Sequence, residues 1–386
     1  MPRKPRIAIV YPVPVAYSFP VLERIAAAPD VDTTVYYCRR ALPGRGNAIP
    51  EEHLRFPHVF LRSWGAVVVR REVREVDFNP SLPLALERGR HALVVLSGFV
   101  QPTMLLGMAW ARLRRRPYAI MSESHGLRER GHVRATARDA VVRPLVRNAA
   151  LLLPTGELAA RELVRLGGDE AAIVRFPHVP DPAVFNAHGR EAARAAWSAR
   201  LGRPSERLVV YVGRLVASKR VDVALRAFER AALPGAHLVV AGEGPLEAQL
   251  RAQAPSQVTF TGFLPPAEVA ELLRAADLAV VPSGDEPWGT IVLEAAACGT
   301  PVLASDNVPA AREIARFGAA RLTPVGDAEA LAAALRAAGE AAELEDLRAG
   351  AAAAAAAYTV DDTAAGFLGA VRARLEHAQA RARTSS

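Results

Sequence analysis

The sequence predicts an α/β protein of two domains, each a parallel sheet covered by helices, and three observations carry that prediction. The chain has 386 residues, more than one hydrophobic core normally serves. Short apolar runs of strand length alternate with helical patterns, as a sheet buried on both faces requires. That alternation halts at a proline-rich stretch, Arg175-Phe176-Pro177-His178-Val179-Pro180-Asp181-Pro182, and then starts again.

In the first half the strand-like runs are Ile7–Val10, Thr34–Tyr37, Leu93–Leu96, Tyr118–Met121 and Leu151–Leu153. Helical patterns cover Phe19–Ala27, Leu82–Arg88, Thr103–Arg114, Thr136–Asn148 and Gly156–Leu166. The second half reads as strands Leu208–Val212, His237–Ala241, Val258–Thr261, Leu278–Val281 and Val302–Ala304. Its helices are Val221–Ala231, Leu246–Gln253, Pro266–Ala276 and Asp327–Gly339. The alanine run Ala351–Ala357 has high helix propensity. Tyr358–Asp362 is a break, with Asp361 or Asp362 as cap of a last helix reaching about Gln379, and 380–386 should fray. The expected domains are residues 1–180 and 181–361, with the helix at about 362–380 packing back on the first.

Composition narrows the setting. The two cysteines, Cys38 and Cys298, match no metal or redox spacing, so a reduced, cytoplasmic setting is expected. The opening MPRKPRIAIVYPVPV has an apolar run too short to span a membrane, broken by Pro12 and Pro14, and no small-residue cleavage site follows. The net charge of +8 fits nucleic acid, an anionic membrane or an anionic small ligand. Much of the excess is arginine dispersed among alanine. The dense cluster, Arg112, Arg114, Arg115 and Arg116, is either the solvated end of a helix or a membrane-facing patch. No histidine spacing suggests zinc or a two-metal centre, and neither a dinucleotide fingerprint nor a phosphate loop is present.

The chemistry gathers in the second half. In DLAVVPSGDEPWGTIVLEAAACGTPVLAS, residues 277–305, a strand leads through a loop into a short helix, which Thr290 can cap and Gly299 can close. Ligands bind in the crevice at the carboxyl ends of such strands. Glu286 in the loop and Glu294 in the helix are either solvated acids or acceptors for a ligand rich in hydroxyls. After Leu208–Val212 come Gly213, Arg214 and Lys219; a guanidinium fork and a point charge suit a diphosphate. At Gly242-Glu243-Gly244-Pro245 the glycines permit close backbone approach to a ligand, and Pro245 suits a first helical position. In the first half Met121-Ser122-Glu123-Ser124-His125-Gly126 follows a strand, with Glu123 and His125 either functional or a hydrogen-bonded structural pair.

Taken together, these blocks resemble the retaining GT-B glycosyltransferases of family 4. The matching pattern is Gly213-Arg214-Leu215 with Lys219, Gly242–Pro245, Phe260–Pro265 and Glu286–Ser305, over about residues 208–305. The resemblance implies two Rossmann-like doubly wound domains facing each other across a cleft. It implies that Arg214 and Lys219 hold the donor diphosphate, that Glu294 binds the ribose hydroxyls, and that Glu286 faces the donor sugar. Trp288, Gly289 and Thr290 match the loop whose amides approach sugar and phosphates, Gly262 and Phe263 the segment beside the base, and His125 the histidine near the reacting centre. Family members often carry a glycine pair after the first strand; here that place reads Tyr11-Pro12-Val13-Pro14, and Tyr11 and Glu123 are the acceptor-side candidates.

The expectation is therefore a metal-independent glycosyltransferase using a nucleotide sugar, UDP-sugars favoured, with no resident cofactor and no nucleic-acid partner. Its acceptor would be a small molecule or a lipid-linked one, with peripheral membrane contact as one option. A nucleotide-sugar epimerase on the same fold, and a non-catalytic nucleotide-sugar-binding protein, are the alternatives.

Overall fold

The computed structural model describes residues 4–41, 49–63, 78–99, 101–125, 132–202 and 207–384. The chain divides into two units, Met1–His178 with Val360–Ser386, and Val179–Thr359.

In the first unit six parallel strands, β1 (Arg6–Tyr11), β2 (Asp32–Tyr37), β3 (His58–Phe60), β4 (Leu93–Ser97), β5 (Tyr118–Ser122) and β6 (Leu151–Pro154), form a sheet in the order β3-β2-β1-β4-β5-β6. The first strands after the start run outward to one edge; the chain then returns to the other side of β1. The second unit repeats this plan with β7 (Arg207–Val212), β8 (Ala236–Ala241), β9 (Val258–Gly262), β10 (Leu278–Val281), β11 (Val302–Ser305) and β12 (Ala320–Thr323), ordered β12-β11-β10-β7-β8-β9. Each is a doubly wound α/β sheet, and each has its switch point beside its first strand.

Side-chain alternation divides the core of the second unit into two layers. Leu208, Val210, Val239, Ala279, Val281 and Val302 face one layer, under the helices Pro266–Ala275 and Thr290–Ala297. Val209, Tyr211, Leu238, Val240, Leu278 and Leu303 face the other, under Val221–Ala231 and Ala328–Ala337. Buried on both sides, these strands read as unbroken apolar runs.

Several elements differ from the sequence reading. The edge strands β3 and β12 and the helices Arg190–Arg200 and Pro309–Ala315 are additional. Arg190–Arg200 docks Trp197 in the core, and its Arg190 and Arg194 join Arg348 around Asp277. The alanine run lies inside a longer helix, Ala341–Ala357. A Cβ at Gly350 would stand 2.5 Å from the Phe317 carbonyl oxygen, so this helix lies directly on backbone. Pro245 precedes its helix, which begins at Glu247 after Leu246 as N-cap. Asp361 and Asp362 are first-turn residues of the last helix, Val360–Thr384, instead of its cap. That helix packs on Phe19–Ala26, with Arg24–Asp361 at 2.6 Å, and meets neighbouring segments through Arg372–Asp30 (2.7 Å) and the edge-on ring pair Phe176–Phe367. The helix expected over Thr136–Asn148 spans His132–Arg147.

Arg112, Arg114, Arg115 and Arg116 are exposed at the end of the helix Pro102–Leu113, where Arg114 pairs with Glu87 at 3.0 Å. Among the described residues no helix is long and apolar enough to cross a membrane.

Candidate active site

β7 is the strand at which the second sheet reverses direction of growth, so the loops after β7 and after β10 part at their carboxyl ends. Four of the charged residues singled out in the sequence stand on these two loops and the helix that follows. The β7 loop carries Arg214, then a 3-10 turn Ala217–Lys219. The β10 loop carries Ser283 to Gly289 and feeds the helix Thr290–Ala297. Backbone joins the two: the Gly284 amide donates to the Ser218 carbonyl at 2.8 Å. That seam brings the Lys219 ammonium against the Glu286 carboxylate as an ion pair. The Ser283 hydroxyl also donates to Glu286, at 3.2 Å, and Glu286 is only 9% exposed.

Arg214 is exposed, with its guanidinium in no ion pair among the described residues. Its backbone is fixed from below. Tyr211, buried one position before the end of β7, donates its hydroxyl to the Arg214 carbonyl at 2.9 Å. Burial, with the Glu286 charge nearby, raises the Tyr211 pKa well above its usual value, so it stays a donor. A Cβ at Gly213 would meet that hydroxyl at 2.9 Å. Gly213 thus packs closely against Tyr211, a residue the sequence reading did not single out.

Thr290 does not cap its helix: Gly289, left-handed at φ 96°, is the N-cap and Thr290 the first helical residue. A side chain at Gly289 would meet Val308 at 2.9 Å. With glycine as N-cap, the first amides of the helix have no capping side chain from that position, the arrangement that receives anions. Gly299 does follow the last turn in a left-handed conformation. Trp288 is 2% exposed and belongs to the core, leaving backbone as its contribution to the loop. Glu294, one turn into the helix and half-buried, has its carboxyl pushed up to about 7 by burial.

The glycines after β8 have a reason other than ligand approach. A Cβ at Gly242 would lie 1.9 Å from the Gly213 carbonyl oxygen, and one at Gly244 2.3 Å from that of Leu215. The β7 and β8 loops therefore touch backbone to backbone, and the Leu215 amide donates to the Glu243 carbonyl at 2.9 Å. Next to them Gly262 is left-handed at φ 73° and presents Phe263, 68% exposed, whose amide donates to the Glu243 carboxylate at 3.3 Å.

The remaining candidates are in the first unit, also at carboxyl strand ends. Tyr11 closes β1 and is buried; burial, then Tyr17, Tyr37 and Glu123, raises its pKa well above the usual value. Glu123 follows β5 and pairs with His178 at 2.7 Å, while the Tyr17 ring lies 4.5 Å from that of His178. His178 carries no motif, and only the fold brings it to Glu123. His125, two positions after Glu123, is buried; Gly126 lies outside the described residues.

Three comparisons bear on this arrangement. Residues 194–354 match the family of glycosyl transferases group 1. A stretch of 177 residues is 39% identical to D-inositol 3-phosphate glycosyltransferase of Mycobacterium tuberculosis, covering 42% of this chain and 35% of that protein. The match thus spans about a third of the relative's length. Among solved structures, Anabaena HepE in complex with UDP and glucose superposes with TM-score 0.72 at 16% identity, over 95% of this chain and 99% of that one. Sucrose-phosphate synthase from Thermosynechococcus elongatus gives 0.71 at 20% identity, over 97% and 100%.

Proposed function

We propose that this chain, of which residues 194–354 match the family of glycosyl transferases group 1, is a GT-B glycosyltransferase that moves a sugar from a nucleoside diphosphate sugar to an acceptor hydroxyl with retention of configuration. The observation that carries the reading is the convergence of Arg214, Lys219, Glu286 and Glu294 on the two loops and one helix at the switch point of the second sheet. Cleaving a sugar–phosphate bond leaves charge on the diphosphate. Fixed cations and helix amides that meet such charge are each worth about 3 kcal/mol of barrier. Arg214, Lys219 and the first amides of Thr290–Ala297 take that part, with no metal ion called on. Glu294 accepts from the ribose hydroxyls and Glu286 from the sugar. The bond from the anomeric carbon to the phosphate oxygen breaks, the acceptor oxygen bonds that carbon on the same face, and the acceptor proton goes to the departing phosphate.

UDP is the favoured nucleotide, and the likeness to HepE with UDP and glucose supports it. Acceptor recognition falls to the first unit, at Tyr11, Glu123 and His125. The relative's name makes cyclitols and their phosphates the first acceptors to try; lipid-linked acceptors, with peripheral membrane contact through Arg112–Arg116, come next.

The test is a melting screen of nucleoside diphosphates followed by transfer assays with the stabilising nucleotide's sugars, with and without acceptors. Transfer with retention is expected. Conversion of donor without acceptor would favour the epimerase, and binding without turnover a non-catalytic protein. Arg214→Ala and Lys219→Ala should each cut turnover about a hundredfold or more while leaving the fold intact. Near-normal activity in both would remove the diphosphate role.

A further inference from the structure

The cation assigned to the diphosphate has a partner within the protein itself. Lys219 is paired with Glu286, which Ser283 also holds. The pair is mostly buried, with side-chain exposures of 22% and 11%, so solvent screens it weakly. The two residues come from opposite sides of the switch point, and the Gly284–Ser218 seam fixes their loops together. The pair is therefore built into the site by the fold.

A nucleotide sugar and the nucleoside diphosphate it leaves behind meet this pair differently. In the donor the terminal phosphate oxygen is esterified to the sugar, and the sugar hydroxyls can donate to Glu286. The carboxylate then has replacement partners, and Lys219 is released to the diphosphate. Once the sugar has left, those donors are gone, and the same phosphate, when it has given up the proton it took from the acceptor, carries one more negative charge. That charge and Glu286 now compete for one ammonium, and two anions at one cation repel.

Resting on the reading above, we infer that Glu286 makes the site discriminate against its own product: by reclaiming Lys219 it weakens nucleoside diphosphate binding and speeds its release. Glu286 is then a specificity-determining residue acting through Lys219, in addition to its contact with the sugar.

The test is calorimetry on the full chain. UDP, GDP, ADP and inorganic pyrophosphate are titrated into wild type, Glu286→Gln, Lys219→Gln and the double variant. The nucleotide sugar of whichever base binds follows. Glu286→Gln should bind that nucleoside diphosphate and pyrophosphate about tenfold more tightly than wild type, the low end of what close charge pairs are worth. Its preference for nucleotide sugar over diphosphate should fall correspondingly. The tightening should vanish in the Lys219→Gln background, which a merely structural role for Glu286 would not produce. Should Glu286→Gln fail to fold, Glu286→Ala reads the same difference. Equal or weaker diphosphate binding in the Glu286 variants, with wild type binding normally, overturns this inference alone. Wild type that binds no nucleotide overturns the functional reading along with it.

Discussion

Glu294 is an acid held where its charge is costly, and that gives it a signature independent of catalysis. Burial raises its pKa from 4.5 to about 7. Between those values the folded protein keeps the proton that the unfolded chain gives up, so stability falls as pH rises from about 4.5 to about 7 and levels off above. Glu294→Gln removes that dependence. Melting curves without nucleotide should show the variant gaining on wild type across that window, with the gap constant above pH 8. Parallel curves would mean the carboxyl is solvated. Arg214, Lys219, Glu286 and Glu294 were legible in the sequence because a charged residue just past an apolar run is conspicuous. Their partnerships were not. Lys219 and Glu286 are 67 positions apart, and Glu123 and His178 55 apart. Only the sheet order brings such residues together. Tyr211 was hidden for another reason: inside a strand, an aromatic reads as core, and its hydroxyl does its work unseen.

At the level of elements, the glycines after β8 illustrate how a motif can be recognised for one reason and required for another. Gly244 does not adopt a positive φ, so alanine is tolerable there as backbone conformation. Space is what forbids it, since the Leu215 carbonyl occupies the position of the methyl group. Gly244→Ala should push the β7 loop away, costing about 1–3 kcal/mol as overpacking does, and should lower nucleotide affinity through Arg214. Urea denaturation and calorimetry check the two effects; an unchanged midpoint with unchanged affinity would refute the contact. The central strands were legible because burial on both faces leaves uninterrupted valines, leucines and isoleucines. The edges were not: β12 reads ALA-ARG-LEU-THR, with Leu322 exposed, and β3 is three residues long. Arg190–Arg200 was missed because nearly all its helical signal is alanine and arginine, with Trp197 as its one large apolar anchor.

For the molecule as a whole, the first unit is closed by residues from the far end of the chain. Phe367, fully buried against Phe176, is the keystone of that closure. Phe367→Ala should cost the first unit about 3–5 kcal/mol. Calorimetry should show its transition moving down while the second unit's transition stays where it is in wild type; a variant melting like wild type would show the last helix to be dispensable. The second unit, by contrast, is one uninterrupted stretch, Val179–Thr359. During synthesis every residue of the second unit is made before Val360, where the helix that closes the first unit begins. The unit that begins later in the chain thus has all its residues before the other does. A chain cut just short of Val360 would therefore keep every residue of the second unit and lack the helix that closes the first.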